Sequence, residues 1–120
     1  MMKRLFALGV LGVGLVASPM VAMAATTDDD LLCVAWTAER SGKATDEGQK
    51  KALVNLMFYF VGRWEGATGR TIESGMTVGW VTANYDRITA AGPDCLQRGG
   101  DMANHLVSAG EQLQKAGGGK

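Results

Sequence analysis

A single histidine, two cysteines and a formal net charge of zero leave this 120-residue chain short of the usual means of catalysis. One His, two Cys and scattered carboxylates give no metal-ligand set with zinc-like spacing, and the C-x-x-C-H of covalent haem attachment is missing. Asp28–Asp30 lack the D-x-D-x-D-G loop that wraps calcium, so this acidic run reads as a solvated helix start. No G-x-S-x-G surrounds Ser74 or Ser108, which removes the nucleophile elbow. No basic stripe is present, so nucleic acid is not an expected partner, and no internal repeat divides the chain.

What is present begins with Lys3 and Arg4, the apolar run Leu5–Val16, and the small-residue triplet Ala22, Met23, Ala24. That order predicts a secretory signal peptide over residues 1–24. Twelve apolar residues rise only about 18 Å as a helix, short of the ~30 Å hydrocarbon core, so no membrane span is expected after cleavage. The remainder carries ten Lys and Arg against twelve Asp and Glu, a formal charge of −2. At pH 2 the carboxylates and His105 would be protonated, swinging the charge to about +12.

Cys33 and Cys95 fall in an exported chain, where an even count predicts a disulfide. Closing a loop of about 60 residues stabilises the fold by roughly 4 kcal/mol on the chain-entropy model. The pattern around them is helical. TTDDD before LLCVAW places acids at a helix start, predicting a first helix over Asp29–Arg40. Thr45 or Asp46 can cap a second, with Gln49 in capping-box position after Asp46.

At 100° per residue, Leu53, Met57, Phe60 and Trp64 of that second helix share a narrow band, and its polar side is thin, so it is expected to be the central helix. Gly62/Gly66 and Gly75/Gly79 stand at small-residue spacings that would let a neighbouring backbone approach. Gly66 and Gly69 are expected to end the helix. Residues 71–89 are read as helix, with Val78, Val81, Tyr85 and Ile88 on one stripe, although MTVGWVT is also strand-prone. Pro93 suits the first turn of a last helix, whose stripe holds Cys95, Met102, Leu106 and Leu113.

The expected fold is therefore all-α: a small bundle of about four helices stapled by Cys33–Cys95, as one domain over residues 25–116 with a flexible tail at 117–120. The candidate interaction residues are Phe58 and Tyr59, which border the polar side, and Arg63 and Trp64, whose guanidinium and indole could grip an anion or a sugar ring. Asp101 stands four residues before His105, a spacing that suits an ion pair.

The signal peptide, short helices, paired cysteines and apolar second helix resemble the periplasmic acid-stress chaperones of the HdeA type, although the Cys33–Cys95 spacing is longer than that family leads one to expect. The tracts LMFYFVGRWEG and PDCLQRGGDM are also similar to short uncharacterised exported proteins of alphaproteobacteria. The chaperone resemblance implies an apolar surface exposed when acid loosens a disulfide-tied fold. The expected function is a non-enzymatic periplasmic protein, chaperone-like or binding through a hydrophobic surface, without cofactor or metal. Its expected partners are unfolded or partner proteins, or a second copy. Two alternatives stand beside it: a structural module docking or dimerising through Phe58 and Tyr59, and a small-ligand carrier using Arg63 and Trp64.

Overall fold

Helix formation starts at Thr26, whose hydroxyl accepts from the Asp29 amide at 3.2 Å while the Asp29 carboxylate accepts from the Thr26 amide at 2.9 Å. This reciprocal cap starts the first helix two residues earlier than expected, because Thr26 rather than an aspartate is the cap. The computed structural model describes residues 26–118; the expected signal segment lies outside them, as do the last two residues of the expected tail.

Every regular element among the described residues is a helix: α1 (Thr27–Lys43), α2 (Glu47–Thr68), α3 (Ile72–Gly75), α4 (Val78–Ala83), α5 (Tyr85–Ala90) and α6 (Gly92–Gly117). The all-α bundle expected from the sequence is thus the fold. Asp46 caps α2, accepting from the Gln49 amide at 2.8 Å. Gly69 ends it, with φ at 69° and its amide on the Glu65 carbonyl at 2.8 Å, a conformation that costs a residue with Cβ strain. Gly66 instead lies within the helix.

Residues 71–89 are helical, but in three short pieces rather than one. The Thr77 hydroxyl accepts from the Trp80 amide at 3.1 Å and starts α4, and the Asn84 amide side chain donates to the Trp80 carbonyl at 2.9 Å where α4 ends. These side chains offer the backbone alternatives to a continuing helix. The expected stripe consequently breaks: Ile88 is buried, while Val78 and Tyr85 are exposed.

The core sits around α1. Leu32, Cys33, Val34, Ala35 and Trp36 of α1 pack with Phe60 of α2, Ile88 of α5 and Cys95 of α6. α1 touches α2, α5 and α6, whereas the closely packed partners of α2 are α1 and α3. The expectation that α2 is central is therefore corrected. The Cys33–Cys95 disulfide and Ile88 draw α5 and α6 onto α1, leaving the outer side of α2 uncovered. Only Phe60 and Trp64 of α2 are fully buried, both from the predicted band; Leu53 and Met57 are half-buried.

Of the glycines expected to allow a close approach, Gly75 does so and the others do not. Gly62 and Gly66 face open space, but a Cβ on Gly75 would meet the Trp64 ring at 2.5 Å and one on Gly99 would meet Leu56 at 2.6 Å. Glycine thus lets α3 lie directly against the rigid Trp64 ring, while at Gly99 a side chain would push aside the end of Leu56.

Candidate functional site

Asp30 lies one turn before Cys33 on α1, and Arg98 one turn after Cys95 on α6. Joining the cysteines therefore brings these two side chains together. Asp30, with only 3% of its side chain exposed, accepts from the Arg63 Nε at 3.1 Å and from Arg98 Nη2 through the same Oδ1. One buried carboxylate thus holds guanidinium groups from two other helices.

Arg98 is held on further sides. Its guanidinium carbon stands 4.7 Å over the Phe60 ring, its Nη1 lies 3.5 Å from the Cys33 sulfur, and Asp94 is 3.8 Å away. Charge-assisted hydrogen bonds and the ring face offset the cost of removing these ions from water. The hydrogen bond to Asp30 raises the Arg63 guanidinium above its ordinary value, so this cation stays charged. At the start of α1, the Thr26 backbone N–H holds the Asp29 carboxyl below the usual carboxylate range. Arg87 adds a tie from α5, donating to Asp28 at 2.7 Å.

These contacts correct one expectation: Asp30 is buried and paired rather than part of a solvated acidic run. Nearby, Glu65 accepts from the Ile72 amide at 2.8 Å and so tethers α3. Sequence reasoning passed over Asp30 and Arg98, although their positions one turn from each half-cystine were a usable signal.

Above the Asp30 clasp, α2 and α6 diverge to form an open cleft of about 360 Å³ lined by Tyr59, Arg63, Arg98, Asp101, Met102 and His105. Tyr59 is half-buried there, its ring 5.0 Å from Phe60 and 5.8 Å from the Arg63 guanidinium carbon. Asp101 and His105 both line the cleft, but no ion pair within 4.0 Å joins them among the described residues. Trp64 points elsewhere. It is buried against Gly75 and borders a second cleft with Leu31, Arg70 and Trp80, so Arg63 and Trp64 do not converge on one ligand. Phe58 stands on the outer face of α2 with 63% of its surface exposed.

A further uncovered apolar surface belongs to α6. Its first turns pack on the body through Gly92, Cys95, Gly99 and Met102, but Ala103–Gly117 is exposed throughout. Leu106, Val107 and Leu113 are 63%, 61% and 74% exposed. The stripe that reads as core-facing in the sequence therefore continues past the edge of the core.

No group of three His, Cys, Asp or Glu side chains that could hold a metal occurs among the described residues, and none of their helices is long and apolar enough to cross a membrane. No protein-family model, curated protein or solved structure matches the chain.

Proposed function

We propose that this protein acts outside the reducing cytoplasm as a non-enzymatic, chaperone-like binding protein that takes apolar segments of other proteins on the exposed face of α6. One observation carries the reading: about 22 Å of helix, Ala103–Gly117, is exposed throughout and presents Leu106 and Leu113 on one side, with Val107 about 100° around from Leu106. An amphipathic helix with an uncovered apolar face is a recurrent means of grasping another chain. The Cys33–Cys95 bond supports an oxidising compartment. The Asp30 clasp supports a rigid body that holds α6 by its root and leaves the remainder free to engage a partner.

The test is to add the oxidised protein to an aggregating client at neutral pH and at pH 2–3, with an apolar dye as a parallel probe. Suppressed aggregation and dye binding at either pH are the expected results. Failure of both at both pH values would end the proposal. The exposure of Phe58 favours a second reading, a module that docks on a partner through the outer face of α2. A Phe58→Ser variant that loses partner cross-links while retaining client binding would select it.

A further inference from the structure

Only 4% of Trp64 is exposed, yet its indole N–H donates to no acceptor among the described residues. Every side-chain nitrogen or oxygen sealed from solvent among those residues has a partner, so this N–H, which has none, opens onto the surface. The indole edge that carries it lies against α3. A Cβ on Gly75 would meet Cζ2 at 2.5 Å and Cε2, the carbon bonded to the indole nitrogen, at 3.4 Å. Trp64 and Gly75 line one open cleft of about 360 Å³ together with Asp28, Arg70, Thr77 and Trp80. The unpartnered N–H is therefore placed at that cleft.

The other polar groups there are held from behind and keep capacity in front. Arg70 donates through Nη2 to the Ser74 carbonyl at 2.8 Å, with its guanidinium carbon 5.4 Å over the Trp64 ring, which leaves Nε and Nη1 without a protein partner among the described residues. The Thr77 hydroxyl accepts from the Trp80 amide at 3.1 Å, so its own proton is free to donate. Asp28 receives Arg87 on Oδ2 at 2.7 Å, leaving Oδ1 as an acceptor. The half-buried Trp80 ring adds an aromatic surface.

We infer that this cleft binds the ring of a neutral sugar, with Trp80 against its C–H face and its hydroxyls on Trp64, Arg70, Thr77 and Asp28. Charge selects the class. The cleft carries one anion, Asp28, already balanced by Arg87, and one cation, Arg70, so a ligand anion meets the carboxylate and a ligand cation the guanidinium. A neutral ring meets neither repulsion. Each of its hydroxyls both donates and accepts, which suits three donors and an acceptor set around an aromatic ring. The volume stands at the small end of ligand pockets, enough for a single ring. No α6 residue lines the cleft, so the site is independent of the surface proposed to hold clients.

The experiment titrates the oxidised, nitrogen-15-labelled chain with glucose, N-acetylglucosamine and their β-1,4-linked disaccharides, and reads the three indole N–H signals. Phosphate and acetate are the anion controls. Trp36 packs on Gly92 outside the cleft and serves as the internal reference. The expected result is saturable movement of the Trp64 and Trp80 signals by at least one sugar, with a dissociation constant of about 1 mM, while the Trp36 signal stays. Trp80→Ala and Arg70→Ala should each weaken binding about tenfold. Arg70 is exposed, so Arg70→Ala retains the fold even where Trp80→Ala does not, and circular dichroism checks both. Tighter binding of a disaccharide than of its monosaccharide assigns the site to a glycan, and equal affinity assigns it to a single free or terminal unit. No saturable movement with any sugar, equal movement of all three indole signals, a tighter response to phosphate or acetate, or unchanged affinity in Arg70→Ala would overturn the inference. Leu106→Ser should leave the sugar titration unchanged, so client holding and sugar binding can each fail alone.

Discussion

α1 and α2 exchange the roles that their compositions suggest. α1 begins with three aspartates, yet Asp30–Thr37 is an unbroken buried run; α2 contains LVNLMFYFVGRW, yet fully buries only Phe60 and Trp64. The difference shows that burial in a small domain follows what is tied to a helix as well as how apolar it is. α1 carries the half-cystine that receives α6, the carboxylate that receives Arg63 and Arg98, and the Asp28 that receives Arg87. α2 carries only one side's worth of these connections, and its far side is left to solvent.

The strongest way to break this arrangement is to cut the disulfide. Cys95→Ser in a Cys33→Ser background, or reduction, should lower stability by about 4 kcal/mol on the chain-entropy model, read as a reduced denaturation midpoint. α6 should lose hydrogen-exchange protection before α1 and α2, because α6 depends most on that tie.

The asymmetry of α2 can be measured next. Phe60 is completely buried under the Arg98 guanidinium, so Phe60→Ala should cost about 3–4 kcal/mol, whereas exposed Phe58→Ala should stay within about 0.5 kcal/mol by the same unfolding assay. Equal losses at both positions would mean that α2 is covered on both sides.

Asp30→Asn isolates the clasp. It leaves two guanidinium groups facing a neutral amide and should cost about 3 kcal/mol, since removing one member of a buried ion pair strands the others. Arg63→Met should cost about 1 kcal/mol or less, because 42% of the Arg63 side chain is exposed and water screens it. A double-mutant cycle gives the coupling between these positions.

The smallest expected effect is a pH dependence at the start of α1. The Asp29 carboxyl is held below its ordinary value by the Thr26 amide, so its contribution is present above the unfolded value near 3.8 and is lost as pH falls through the lower folded one. Asp29→Asn should flatten the part of the stability–pH profile below about pH 4, by slightly lowering the neutral value while leaving the most acidic one unchanged.

Much of this fold is legible in the sequence because local chemistry specifies it. The Asp46–Gln49 cap, the left-handed Gly69 and the Phe60–Trp64 band all follow from residues within a few positions of one another. The clasp is harder to read because its members are 33 and 68 residues from Asp30, and an acidic run at a helix start is ordinarily solvated. Only by placing the disulfide first, and then asking what stands one turn from each half-cystine, do Asp30 and Arg98 meet. The free half of α6 is illegible for another reason. A stripe of Met102, Leu106 and Leu113 has the same periodicity whether or not anything covers it, and only the structure shows that the core ends near Met102.

The most direct measurement sets the two exposed apolar surfaces against each other in one client-aggregation assay, using Leu106→Ser/Leu113→Ser and Phe58→Ser variants of matched stability. The account predicts that the α6 double variant loses most of its client holding while Phe58→Ser retains it. Unchanged holding by the double variant would contradict the assignment of α6 as the working surface.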